Sequence, residues 1–346
     1  MRPDREAALA DLIRAAREPL SITGGGTRLW PGEGQGARLE VSGLSGVRLY
    51  EPEALTLVVG AGTPLTTVRE VLAAEGQMLG FEPMGQPGST IGGIAASNAS
   101  GPRRVQAGAA RDAMIGLRFV DGQGEVVANG GRVMKNVTGY DLVKLMAGSR
   151  GRLGVLTELS LRTTPIPPVR HTLCLPGLDA AAAIPALTAA LSGPFDISGA
   201  AWLPGRGALL RLEGLEQSVR LRAAALRDRL AGFSEVTEAE DDPWQLLDPE
   251  IRNTSGDLWR IICRPGEAPA ILAALPAPIS LDWGGALIHV RLPADEVPQL
   301  PRFSGHARRI SGSATMVLPS PDPVLHRIEA GLRHRFDPRG IFLGID

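Results

Sequence analysis

The first residues that could do chemistry are glycines. Gly24-Gly25-Gly26-Thr27 follows directly on the apolar run Leu20-Ser-Ile-Thr23. Without Cβ atoms, such a segment lets backbone N–H groups converge on an anion such as a phosphate. The same run would equally make a plain tight turn, and the residues alone leave both readings open. Gly60-Ala-Gly62 also follows a strand-like run, but the dinucleotide-binding pattern fails there. Its sixth position is Leu65, and Pro64 removes a donor where a pyrophosphate would lie. A strand-to-helix turn is the better reading.

The stretch from Pro87 to Gly101 is more informative. It holds four glycines, three alanines, three serines and one asparagine, and no charge. Ile91, Ile94 and the alanines are too apolar for a flexible linker. Small side chains with spaced hydroxyls suit a backbone packed closely against a flat ligand. Arg103, Arg104, Arg111 and Asp112 follow, either as a solvated face or as contacts to a substrate or phosphate. Further on, Lys135 and Lys144, the only two lysines among 36 basic residues, fall within one ten-residue window. Gly148, Gly151 and Gly154 then lead into a strand.

Other counts exclude whole classes. With 36 basic and 37 acidic residues the chain has no basic excess for nucleic acid, and 14 aromatics offer little for base stacking. The two cysteines, Cys174 and Cys263, lie far apart and cannot hold an iron–sulfur cluster alone. The five histidines (171, 289, 306, 326 and 334) lack metal-ligand spacing, so no metal is expected. The acidic, apolar-poor start and the lack of a long apolar run predict a cytoplasmic protein with neither signal peptide nor transmembrane segment.

These residues need elements to hold them. Helical spacing of Ala8, Leu9, Leu12, Ile13 and Ala16 predicts a helix over 4–17. Strands are expected at 20–23 and 55–59, then a helix capped by Thr63 with Pro64 at its first position. Asp121-Gly-Gln-Gly124 reads as a hairpin between 114–120 and 125–128. Residues 155–162 alternate as a strand and end at Pro165, Pro167 and Pro168, which mark a domain boundary. Beyond it, strands near 170–175, 198–203, 208–213, 258–263, 278–282 and 286–292 alternate with helices near 179–191, 215–230 and 267–275. That order matches split βαβ units on an antiparallel sheet. A last helix carries Leu325, Ile328, Glu329 and Leu332.

The ordered set Gly24-Gly-Gly-Thr27, Pro87-Gly-Ser-Thr-Ile-Gly-Gly93, Asn98-Ala-Ser-Gly101, Asn136-Val-Thr-Gly-Tyr-Asp-Leu142 and Gly151-Arg-Leu-Gly-Val-Leu-Thr-Glu158 resembles the vanillyl-alcohol-oxidase/PCMH-type FAD-binding proteins. Within them it is most similar to FAD-binding subunits of bacterial glycolate oxidase (glycolate dehydrogenase). The resemblance implies an α+β protein. A two-lobed PCMH-type FAD-binding domain would span 1–167 and a ferredoxin-like antiparallel cap 168–319, with a C-terminal helix and tail, 320–346, returning to the FAD domain. Thr23, Gly24, Gly25, Gly26, Thr27 and Arg28 would hold the pyrophosphate. Pro87, Gly88, Ser89, Thr90, Gly92 and Gly93 would line flavin and pyrophosphate, with Asn98, Ser100 and Gly101 nearby. Gly151, Gly154 and Val155 would contact the ribityl and adenine side. The first loop has no histidine, so FAD would be noncovalent.

The resemblance further implies oxidation of glycolate to glyoxylate. Partners would be a second FAD-binding subunit and an iron–sulfur subunit, and the chain would be cytoplasmic or peripheral at the inner membrane through them. Two departures open alternatives. Asp282-Trp-Gly-Gly-Ala-Leu-Ile-His289 lacks the spaced histidines that related D-2-hydroxyacid dehydrogenases use for a metal. Phe342 is followed by Leu343-Gly-Ile-Asp346 rather than Asn-Pro-Gly. A noncatalytic FAD relay or scaffold subunit, or a stand-alone FAD-dependent hydroxy-acid or aldonolactone oxidase, therefore stands beside the main reading. No catalytic base is identified.

Overall fold

The computed structural model describes residues 1–31, 33, 35–131, 139–248, 255–319 and 322–343. The chain forms two compact units. The first comprises Met1–Gly101, Gly108–Ile166 and Pro321–Asp346, the second Pro102–Ala107 and Pro167–Ser320.

In the first unit, α1 (Glu6–Ala15) leads to β1 (Leu20–Thr23), which pairs in parallel with β2 (Ala37–Glu40). The main sheet has five antiparallel strands, β3 (Val47–Glu51), β4 (Thr56–Gly60), β6 (Met114–Val120), β7 (Val126–Gly130) and β8 (Val155–Arg162), in the order β3-β4-β8-β6-β7. A short pair, β5 (Gln77–Met78) and β9 (Thr164–Pro165), lies apart from it. Helices α2 (Leu65–Ala74), α3 (Ile91–Ser97), α5 (Ala110–Ala113) and α6 (Leu142–Met146) complete this unit before its C-terminal helix. The hairpin of β6 and β7 forms because Asp121 Oδ1 accepts from the amides of Gln123 and Glu125, each at 2.9 Å. Leu57, Val59, Leu65, Val68, Leu72, Ile91, Ile94, Phe119 and Leu159 form the core.

One local expectation fails. Thr63 does not cap α2. Its hydroxyl donates to the Gly60 carbonyl at 2.6 Å and accepts from the Gly46 amide at 2.9 Å, and Pro64 becomes the flanking residue, with no side-chain cap. The tertiary partner wins because the hydroxyl is fully buried in the turn after β4. Strands β2 and β3 were not foreseen either, being short and polar on one side.

The second unit is one nine-stranded sheet in which every pairing is antiparallel. Its strands are β10 (Val169–Leu175), β11 (Ile197–Leu203), β12 (Gly207–Gly214), β13 (Thr237–Glu238), β14 (Asp257–Ile262), β15 (Ser280–Asp282), β16 (Leu287–Leu292), β17 (His306–Arg309) and β18 (Met316–Leu318). The order is β13-β10-β12-β11-β15-β16-β14-β17-β18. Helices α7 (Ala180–Leu191), α8 (Glu216–Leu230) and α9 (Ala268–Ala273) pack on one face, where Leu187, Leu226 and Ile271 meet Leu210, Trp259, Ile261 and Ile288. The short α4 (Arg104–Ala107) belongs to this unit. The last helix, α10 (Pro323–Phe336), starts on an Asp322 cap and buries none of its residues. Beyond it, the Asp337 carboxylate accepts from the amides of Ile341 (3.1 Å) and Phe342 (2.7 Å), and Phe342 bridges to Leu20 of β1.

Candidate cofactor-binding site

A cavity opens to solvent in the first unit where β1, the loop after it, α3 and the start of β8 come together. One part of its lining is backbone-rich: Gly24, Gly25, Gly26, Thr27 and Arg28, with Gly92, Gly93, Gly151 and Gly154. The rest is apolar: Ile22, Leu29, Val41, Ala61, Ala96, Val155 and Leu156.

The glycine loop is shaped by its neighbour. A Cβ on Gly25 would sit 1.7 Å from the Gly88 carbonyl oxygen, and one on Gly24 would sit 2.3 Å from Thr90 Oγ1. These two glycines are therefore required by the packing of loop 24–27 on loop 88–90, and Thr27 Oγ1 joins Ser89 Oγ at 3.0 Å across it. Gly26 differs, with φ of +73° and open space around it. Among the described residues, the amides of Gly24, Gly25, Gly26 and Thr27 have no protein acceptor. Four consecutive unsatisfied donors lining one cavity form a concave anion cradle. The donor set fits a pyrophosphate, and the apolar wall fits a planar ring system.

Arg150 locks this loop, a role that sequence reasoning missed. It sits at φ of +55° and pairs with Glu33 through Nε (2.8 Å) and Nη2 (2.6 Å). Its Nη2 also donates to the Arg28 carbonyl, and its guanidinium stacks 3.3 Å from the centroid of Trp30. Both charged side chains are about nine-tenths buried. The signal available in sequence was an arginine between Gly148 and Gly151. Its partners 117 residues earlier could not be read from it.

Of the expected residues, Gly24, Gly25, Gly26, Thr27, Arg28, Thr90, Gly92, Gly93, Gly151, Gly154 and Val155 line the cavity. Thr23, Pro87, Gly88, Ser89, Asn98, Ser100 and Gly101 lie outside that lining. Asn98 is a left-handed cap of α3 whose Oδ1 accepts from the Arg111 amide, and Ser100 Oγ accepts from the Ala110 amide. These two stitch the segment after α3 to α5. Ser97, unforeseen, lines the cavity while donating to the Gly93 carbonyl at 2.7 Å. The segment Arg132–Thr138, including Lys135 and Asn136, lies outside the described residues. Lys144 donates to the Arg111 carbonyl at 2.5 Å and meets Asp112 at 3.4 Å. In the second unit, His289 is a buried strand residue with Ser280 Oγ on its Nδ1. Among the described residues, no group of three or more His, Cys, Asp or Glu side chains is placed to hold a metal.

Residues 1–130 match the family described as FAD binding domain. The glycolate oxidase subunit GlcE of Escherichia coli is 35% identical over 353 residues, covering 98% of this chain and 96% of that protein. This chain belongs to the GlcE family of FAD-binding proteins. The family places it among FAD-dependent oxidoreductases, and FAD is the cofactor. The glycolate oxidase subunit GlcD of Bacillus subtilis is 34% identical over 185 residues, which are 52% of this chain but only 39% of that protein. The fold of the GlcE-family chain also matches solved structures. Alkyldihydroxyacetonephosphate synthase superposes with a TM-score of 0.70 at 14% identity, covering 99% of this chain and 76% of that one. p-Cresol methylhydroxylase superposes at 0.63 and 11% identity, covering 84% and 74%. The expected α+β architecture of the PCMH type is thus the observed one.

Proposed function

We propose that this chain is the FAD-binding subunit of a glycolate dehydrogenase complex that oxidises glycolate to glyoxylate. FAD binds noncovalently in the cavity of the first unit. The observation that carries this reading is the cradle of free amides at Gly24–Thr27, found in a chain that aligns end to end with a glycolate oxidase subunit. The cradle and Arg28 would hold the pyrophosphate. Gly92, Gly93, Gly151 and Gly154 would let the cofactor approach the backbone, and Arg150 would keep the loop closed on it. The apolar wall excludes water from the ring system. Bound FAD supplies a hydride acceptor for the carbinol carbon. Among the described residues the lining contains no histidine, cysteine or tyrosine, which agrees with noncovalent attachment.

Two cysteines cannot hold a cluster, so electrons would leave through an iron–sulfur subunit, with a second FAD-binding subunit as a further partner. Among the described residues no helix is long and apolar enough to cross a membrane. A second reading, an FAD relay or scaffold, draws support from the cavity lining, where among the described residues arginines are the only charged groups. Anaerobic addition of glycolate to the purified yellow protein separates the two. Bleaching of the flavin supports oxidation by this chain, a flavin that stays oxidised supports the relay, and a colourless protein that takes up no added FAD sinks both.

A further inference from the structure

Helix α10 is patterned like a core helix, yet most of its length has no core against it. Val324, Leu325, Ile328 and Leu332 recur at helical spacing, which puts them on one stripe. Val324, Leu325 and Ile328 are 53%, 57% and 54% exposed. Among the described residues, no other helix exposes more than one large apolar side chain. Single exposed apolar residues are ordinary, whereas a contiguous stripe marks an interaction surface. A helix of this length is marginal in water by itself and draws most of its stability from packing an apolar face. Since α10 buries none of its residues, the described chain does not supply that packing.

The stripe is held in place at both ends. At its start, Asp322 Oδ1 accepts from the Val324 amide at 2.7 Å. At its end, the Phe336 ring packs on Phe119 with centroids 6.0 Å apart, and the Phe336 carbonyl accepts from the Gly122 amide at 2.8 Å. A helix fixed in this way presents its side chains preorganised, which lowers the entropic cost of docking. Charge then selects the occupant. The helix carries Arg327, Arg333 and Arg335 against one acid, Glu329. Two copies laid face to face would bring like charges together. From Val324 to Leu332 the stripe runs only about 12 Å, and membrane affinity scales with the apolar area buried, so a bilayer is a poor fit. A protein groove with an apolar floor and carboxylates along its rim satisfies both the stripe and the arginines.

We propose that α10 is the helix by which this chain docks on the second FAD-binding subunit of the complex, in an apolar groove of that subunit rimmed by carboxylates. Leu325 and Ile328 enter the groove and supply the buried area, while Arg327 stays at the rim and steers the encounter. This deepens the proposed function and rests on it, since the occupant is a member of that complex. The chain's similarity to both a GlcE and a GlcD subunit of glycolate oxidase supports the choice of a GlcD-type partner.

The test measures the affinity of the FAD-saturated full-length chain for the purified GlcD-type subunit of the same organism by calorimetry. The double variant Leu325→Gln/Ile328→Gln should bind at least about tenfold more weakly than the wild type. Arg327→Glu should weaken binding and flatten its dependence on salt. Both positions lie outside the cavity lining, so the flavin absorbance should match the wild type. Equal affinity in the wild type and the double variant overturns the docking site. Should the variants fold poorly, the wild type decides. Hydrogen exchange at the amides of 325–332 should slow at least about tenfold when the GlcD-type subunit binds, and unchanged exchange overturns the proposal. A wild type that binds no GlcD-type subunit overturns the proposed complex and this occupant together, whereas assembly that ignores α10 overturns the docking site alone. Two other results also overturn it. A wild-type dimer that the double variant loses assigns the stripe to a second copy. Binding to vesicles of phosphatidylcholine and phosphatidylglycerol that the double variant loses assigns it to lipid.

Discussion

The two units build their polar surfaces from opposite materials. In the first, the cavity is made by main chain: free amides of Gly24–Thr27, glycines at 92, 93, 151 and 154, and aliphatic walls. In the second, the sheet face opposite the helices carries polar side chains, with Arg260, Arg308, His289 and Ser280 on one rung. Main-chain donors cannot be mutated away. Their site is vulnerable only where an added atom breaks the approach of two loops, or where the clamp behind the loop is lost. A rung of side chains has the reverse weakness, because truncating one residue removes the interaction and leaves the backbone intact.

The sharpest way to break that contrast is Gly25→Ala. Its new Cβ falls 1.7 Å from the Gly88 carbonyl, so loops 24–27 and 88–90 must separate. A loss of about 3 kcal/mol and of bound FAD is expected, read by thermal melting and the visible spectrum. Unchanged FAD binding would mean that the cradle does not depend on this loop contact. Arg150→Ala comes next. It strands a mostly buried Glu33 and frees the loop, and about 3 kcal/mol is expected, at the low end for broken buried pairs. FAD titration should show weaker binding rather than none.

For the second unit, His289 gives a pH signature. Its folded pKa lies below the unfolded value, so the unfolded chain binds the proton more readily and stability rises with pH in that window. The contribution is fully present above the unfolded value of about 6.5. It is lost as pH falls toward 3, at about 1.4 kcal/mol per pH unit. Melting curves between pH 7 and pH 5 should show this slope, and His289→Gln should flatten it. The smallest effect is expected for Trp30→Leu. This removes the stack on Arg150 and keeps the ion pair, costing about 0.5–1 kcal/mol. A cost as large as that of Arg150→Ala would show that the stack, not the pair, holds the loop.

Much of this was legible in local pattern. Strand Val155–Arg162 alternates from Glu158 onward and appears with the expected bounds, and Asp121-Gly-Gln-Gly124 carries its own turn chemistry. Eleven of the expected cofactor residues line the cavity, the glycine run after β1 among them. The misreadings involve residues whose partner is remote. Thr63 looks like a helix cap until Gly46 and Gly60 compete for its hydroxyl. Asn98 and Ser100, expected near the cofactor, accept from the amides of Arg111 and Ala110, partners that the sequence did not announce. Strand β2 exists only because β1 lies parallel to it.

The sequence by itself determined the glycine segments, the strands and helices that carry them, and the membership that implies FAD. Those features depend on backbone freedom and short-range periodicity, which act within a few residues. Tertiary structure alone decided that Gly24 and Gly25 answer to Gly88 and Thr90, that Arg150 clamps Glu33 and Trp30, and that Arg260 and Arg308 share one rung. Each of these is a contact between residues tens of positions apart. Only the folded register brings them within the few ångströms over which sterics, hydrogen bonds and charge act.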